Sequence, residues 1–323
     1  MKYWDVRKDG IQRREANDQR NIFCREVHVN RQVLTPSCSA KKSTYLERFI
    51  NGSMSRSIIT LTTDFGLKDP YVAEMKAIIL SINPNAIVVD ISHEVAKFNI
   101  RMGAYILACA APYFPQGSVH VAVVDPTVGT KRKLILVHTK NAYYLGPDNG
   151  VLSLAIKNQT IEDIHEITNQ KLTLPTTSNT FHGRDVLAPA AAHLTNGTHP
   201  SEFGPSINKI ATTTFSQITH NKGTLIGEVI HTDDFGNIVT NFGPEELRLM
   251  KTKRTIQIKL KNKKLQLKLC KTYAEVPKQK PLALIGSHNF LEISINQGNA
   301  AKILKTKTGD KTTLYQPQEH NHT

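Results

Sequence analysis

From Ser57 onward, short apolar runs alternate with helical patterns, and this alternation limits the possible folds more than any other feature of the chain. "SIITLTT" (57–63), "AIVVDI" (86–91) and "SVHVAVV" (118–124) are β-branched runs with little polar alternation, as expected of strands buried on both faces. Between the first two, Tyr71, Met75, Ile78, Ile79 and Ile82 of "DPYVAEMKAIILSI" share one helical face, with Asp69 as N-cap and Pro70 as the first helical residue. The stretch "NIRMGAYILACAAPYF" (99–114), between the second and third, is helical as well. Strands joined by single helices imply right-handed crossovers and a mostly parallel sheet with flanking helices, an α/β fold. "KLILVHT" (133–139) and "AYYLG" (142–146) follow closely enough to add antiparallel members.

After about residue 220 the rhythm changes. "GTLIGEVIHT", "NIVTNF", "TIQIKLK", "LQLKLC", "LALIG" and "FLEISI" are short strands separated by turn signals, which reads as a small antiparallel barrel or sandwich. Residues 1–53 differ from both parts: they lack sustained periodicity and hold the only tryptophan, Trp4. The expected organisation is a poorly ordered extension over 1–56, an α/β domain over 57–220, a β-barrel domain over 221–316 and a tail over 317–323.

The formal charge of +14 is concentrated in two places. Residues 1–53 carry eleven Lys/Arg against six acids, and residues 251–280 carry eleven against Glu275 alone. In the second, "TIQIKLKNKKLQLKLC" alternates on both sides of a central turn, so it predicts a hairpin with an apolar inner face and a lysine-rich face in water. A solvated basic surface is therefore favoured over a nucleic-acid interface, since no aromatic interleaving accompanies the charge. The chain has no run of 18 apolar residues, which argues against a membrane span. Cys24, Cys38, Cys109 and Cys270 form no CxxC pair, which fits a reducing cytoplasm. HExxH, GxSxG, GxGxxG and Walker patterns are absent, so neither a metal nor a nucleotide cofactor is expected.

The chemistry concentrates in polar, glycine-containing loops: "TTDFG" (62–66), "DPTVGTKR" (125–132), "GPDNG" (146–150), "TFHGRD" (180–185), "DDFGN" (233–237) and "GSHNF" (286–290). The first two follow strands, at the carboxyl ends where open α/β sheets bind ligands. Because both halves supply such loops, a cleft between domains is the economical arrangement. Each loop alone also has a structural reading. Asp64 can end a strand, Asp148 and Asn149 suit a turn, "DDFGN" suits a hairpin with Asn237 left-handed, and His182 suits a satisfied core histidine.

Taken in order, these motifs closely resemble the S-adenosyl-L-methionine (SAM) hydrolase, or SAM hydroxide adenosyltransferase, family, which is related to the fluorinase and chlorinase enzymes. The resemblance runs from about Ile58 into the early 300s. It implies an α/β domain followed by a β-barrel domain, and a homotrimer whose active sites lie where one subunit's first domain meets a neighbour's second. The implied reaction is attack of water or hydroxide on ribose C5′ of SAM, giving adenosine and methionine, with SAM as substrate and no cofactor. The implied catalytic trio is Asp125, Arg132 and His182. Asp64 corresponds to the ribose-binding position, Asp233 and Asn237 to the region that holds the methionine amino and carboxylate groups, and Ser287 to a further part of the SAM pocket.

Elementary chemistry agrees with those roles. A sulfonium is already a good leaving group, so the reaction needs a nucleophilic oxygen held in line with the C5′–S bond rather than an acid. A carboxylate such as Asp125 can orient and partly deprotonate water, and a nearby cation, supplied by Arg132 with His182, can stabilise hydroxide character. A carboxylate such as Asp64 can also accept two hydrogen bonds from a ribose diol. The halogenase relatives carry tyrosines at the places of Asp125 and His182, and a carboxylate beside the nucleophile would repel a halide. Hydrolysis is therefore favoured over the alternatives, a SAM-dependent halogenase or a basic nucleic-acid-binding protein with a vestigial SAM pocket. One departure stands out: the family usually has glycine at Thr127, where a β-branched residue would be strained if φ were positive.

Overall fold

The computed structural model describes residues 57–213 and 217–316; the expected extension and tail lie outside the described residues. The first half is built on a six-stranded sheet: β1 (Ile58–Thr63), β2 (Ile87–Ser92), β3 (Ser118–Val123), β4 (Leu134–Thr139), β5 (Ala142–Pro147) and β6 (Ile161–Glu166), in the order β2-β1-β3-β5-β4-β6. Pairings β1–β2, β1–β3 and β3–β5 are parallel, whereas β4 runs antiparallel to both β5 and β6.

The central strands alternate between two apolar layers. Val119, Val121 and Val123 of β3 face the helices Tyr71–Ile82 and Ala188–Thr195, through Met75, Ile79, Ala190 and Ala191. Ala122 and Val124 face the helices Ile100–Ala110 and Ser153–Ile156, through Leu107 and Ile156. Both sheet faces are thus covered, as the unbroken apolar run of β3 requires. Among the described residues, no helix is long and apolar enough to cross a membrane.

Several local expectations are corrected. Asp69 does not cap its helix: Pro70 is the cap residue and Tyr71 the first helical one. The buried stripe of that helix is Val72, Met75 and Ile79, whereas Tyr71 stays exposed. It makes edge-to-face contacts with Phe65 and Phe181, at 5.8 and 5.3 Å between ring centroids. Strand β2 lies at the sheet edge and is half-buried rather than buried.

The second half holds β7 (Thr219–Asn221), β8 (Thr224–Thr232), β9 (Ile238–Thr240), β10 (Thr255–Leu260), β11 (Lys263–Cys270), β12 (Pro281–Ile285), β13 (Leu291–Ile295) and β14 (Lys311–Tyr315). Strand β8 pairs with both β9 and β14, which closes a seven-stranded ring through β10, β11, β12 and β13. The barrel is mixed rather than wholly antiparallel, because β11 and β12 run parallel; the 271–280 connection carries the chain back before β12 begins. The basic hairpin β10–β11 has the expected sidedness: Ile256, Ile258, Leu260 and Leu267 enter the barrel core while Lys263, Lys264 and Lys268 are exposed. Tyr105, on the helix Ile100–Ala110, joins the two halves by packing with Ile230 and Val239 and stacking on His231 at 4.5 Å.

Candidate active site

Parallel pairing of β1 with β3 aligns Thr63 with Val123, so Asp64 and Asp125 emerge side by side at the carboxyl end of the sheet. Strand β4 is antiparallel to β5, with Leu134 opposite Pro147, and this brings Arg132 to the same end. His182 arrives from another direction, at the start of a π-helical turn (Gly183–Leu187) that leads into Ala188–Thr195. Such wide turns often occur at functional sites because they re-aim a side chain within a helix.

These four residues are brought together, and three of them are bonded in a chain. Arg132 donates to Oδ2 of Asp125 from Nε at 2.7 Å, and its Nη2 makes an ion-pair contact with the same oxygen at 2.5 Å. Nη2 also reaches Nδ1 of His182 at 2.8 Å. A guanidinium can only donate, so Nδ1 accepts and the proton of the neutral ring sits on Nε2. The Arg132 and Asp125 side chains are only 8 % and 6 % exposed, so their pairing is well screened from bulk water. Asp64, Asp125 and His182 line one cavity of about 360 Å³. Oδ2 of Asp64 accepts from the backbone N–H of Phe98 at 2.8 Å, and its backbone carbonyl accepts from Lys97.

Burial, followed by the positive charge of Arg132, holds His182 below the ordinary imidazole value of 6.5; Asp125 and Asp185 oppose this. His182 is therefore neutral near pH 7. As pH falls below 6.5 and through the lowered value, Nδ1 takes up a proton and can no longer accept from Arg132. The unfolded chain binds that proton first, so this contribution to stability is full above 6.5 and is lost as pH falls through the lowered value. Histidine NMR should place the His182 titration below 6.5, and turnover should fall in the same acid window. A His182 value at or above 6.5 would contradict this account.

Asp233, Asn237 and Ser287 come together elsewhere. They line a second cavity of about 1160 Å³ on the barrel, which shares no lining residue with the first. Both Asp233 carboxylate oxygens accept from Asn237, from its backbone N–H and from Nδ2, each at 2.8 Å. The left-handed residue of this turn is Gly236 (φ +84°), not Asn237. The candidate residues of a single chain thus fall into two separate cavities.

The other motif residues hold loops. Asn149 donates to the carbonyl of Val124 at 2.8 Å, and Asp148 accepts from the N–H of Ala211 at 2.6 Å, as a structural role for "GPDNG" requires. Arg184 bonds Asp185 and Glu74, each at 2.7 Å, and lies over the Phe181 ring. Sequence reasoning missed the cavity's apolar wall of Phe65, Tyr71 and Phe181, and also Phe98, which has φ +63° and no sequence signal for it. Thr127 is unstrained: the left-handed position in its loop belongs to Gly129, at φ +80°.

The chain matches the family models for the SAM hydroxide adenosyltransferase N-terminal domain over residues 59–204 and C-terminal domain over residues 227–313. It is 43% identical to the (R)-S-adenosyl-L-methionine hydrolase of Methanocaldococcus jannaschii, covering 80% of this chain and 95% of that one. Identity to a fluorinase from an Actinoplanes species is 25%, over 80% of this chain and 97% of the relative. The fold is similar to the crystal structure of an uncharacterized conserved protein from Thermotoga maritima, with a TM-score of 0.76, 36% identity, and coverage of 80% and 99% of the two chains. With both family domains matched in order over most of its length, the chain belongs to the SAM hydroxide adenosyltransferase family.

Proposed function

We propose that the protein hydrolyses SAM to adenosine and L-methionine. The observation that carries this reading is the bonded line Asp125–Arg132–His182 at a cavity that also holds Asp64. In the proposed step, a water oxygen forms a bond to ribose C5′ while the C5′–S bond breaks, leaving its electron pair on sulfur. The water proton passes toward Asp125 and then to solvent. Arg132 fixes the carboxylate through Oδ2, which leaves Oδ1 to orient the water, and the His182 ring adds an N–H donor for the developing hydroxide. In the proposed complex Asp64, which lines the same cavity, accepts from the ribose hydroxyls. Halogenation is disfavoured because a carboxylate at the nucleophile position repels a halide. Chromatography of SAM incubated with the purified protein tests the reading: adenosine and methionine should appear together, and unchanged SAM would refute it.

The two separate cavities support a second element of this proposal, a homotrimer in which one subunit's α/β cavity faces a neighbour's barrel cavity. Each cavity carries a strongly exposed aromatic, Phe98 at 69% and Phe235 at 80%, of the kind that association covers. Asp125→Asn impairs one half and Asp233→Asn the other. Either variant alone should be nearly inactive, whereas trimers assembled from an equal mixture should regain about a quarter of wild-type activity, since one site in four draws both halves from intact surfaces. Activity no higher than the mean of the two variants would mean that each site lies within one chain.

A further inference from the structure

We propose that Thr127 is a positioning residue for hydrolysis, its hydroxyl holding Oδ1 of Asp125 in the orientation that the attacking water requires. This rests on the hydrolase reading above. Arg132 grips Asp125 only through Oδ2, and rotation about the terminal bond of an aspartate is soft, so Oδ1 needs its own restraint. Thr127 Oγ1 donates to Oδ1 at 3.2 Å.

The loop makes that hydroxyl a fixed point. The Thr127 carbonyl accepts from the Thr130 hydroxyl at 2.8 Å and from its backbone N–H at 3.2 Å, while the Asp125 carbonyl accepts from the N–H of Val128 at 3.3 Å. A β-branched side chain adds stiffness at χ1, and Thr127 carries it without the strain of a positive φ. A hydroxyl that donates to Oδ1 keeps lone pairs free. A water can then give one hydrogen to Oδ1 and the other to Thr127 Oγ1, which directs its own lone pair outward toward C5′. Glycine at this position could restrain the carboxylate only through its backbone.

The test compares Thr127→Val, which keeps the shape and loses the hydroxyl, with Thr127→Ser, which keeps the hydroxyl. Thr127→Val should lower kcat about tenfold, the scale of one hydrogen bond, with KM for SAM unchanged, and Thr127→Ser should restore most of the rate. In an Asp125→Asn background, Thr127→Val should cost little more, because its effect passes through the carboxylate. Wild-type kcat in Thr127→Val, an equal loss in Thr127→Ser, or full additivity with Asp125→Asn would each overturn the role while leaving the hydrolase reading intact. A wild-type protein that releases no adenosine would overturn both.

Discussion

Asp125→Asn should cut kcat for SAM hydrolysis by about 10²-fold or more while SAM binds as before, the range expected when a positioned general base is lost. The substitution keeps the size of the side chain, and its amide oxygen can still accept from Arg132. What it loses is the anionic acceptor at Oδ1, which becomes an NH₂ group that donates toward the water. The residues proposed to hold SAM in its ground state are others, Asp64 in the same cavity and Asp233, Asn237 and Ser287 on the barrel. An interaction that matters chiefly in the transition state shows up in kcat and not in affinity. Single-turnover rates and calorimetry of SAM binding make the comparison, and oxygen-18 water should label the adenosine 5′-hydroxyl in the wild type. Near-normal turnover in Asp125→Asn, or failure only because SAM no longer binds, would falsify the assigned role.

A marked loss of stability is expected beside the site, at Asp185. This carboxylate is fully buried, accepts from the N–H of Ser178 at 2.7 Å through Oδ2, and pairs with Arg184 at 2.7 Å through Oδ1. It ties the 174–182 loop to the π-helical turn that carries His182, and Arg184 extends the tie to Glu74 on the helix Tyr71–Ile82. Asp185→Ala leaves a cation and a backbone N–H without this acceptor. Because Arg184 is one-third exposed, the loss is smaller than for a fully buried pair, and we expect a fall in Tm of several degrees.

The pH dependence provides a check. Burial pushes the Asp185 carboxyl up, but Arg184 and Ser178 together pull it further down, so it lies below its ordinary value of 3.8. Its contribution is thus present above 3.8 and is lost as pH falls through the lowered value. Wild type and Asp185→Ala should differ most near neutral pH and converge in strong acid. An equal gap in melting temperature at both ends would mean that the charge of Asp185 is not what stabilises the loop.

Both sheets were readable, and candidate residues could be named, because their signals are local. A buried strand such as "SVHVAVV" announces itself by its apolar run, and the hairpin of 255–270 by its alternation. What escaped depends on neighbours. Strand β6, "IEDIHE", is an edge strand whose charged residues imitate a loop. Strand β2 reads as buried, yet its place at the edge is decided by the crossover order. Tyr71 fits the helix's apolar face by periodicity, but Phe65 and Phe181 draw it to the cavity wall. The candidate residues came from ordered motifs, whereas their division between two separate cavities is set by tertiary placement. Thr127 read as a source of strain because its spacing could not show that Gly129 takes the left-handed position.

Gly129 sits where the two candidate-site loops touch. A Cβ there would lie 2.5 Å from the backbone oxygen of Asn179, so the 125–132 loop meets the 178–182 loop through bare main chain. The spacing of Asp125 and His182 therefore rests on this close main-chain approach as well as on the Arg132 bridge between them. Architecture and reactivity are in this respect separable. If the close approach at Gly129 holds the two loops, side chains at 125, 127 and 182 should be exchangeable with less disturbance of the loops than a substitution at Gly129 itself, which would give laboratory evolution a route to new nucleophiles.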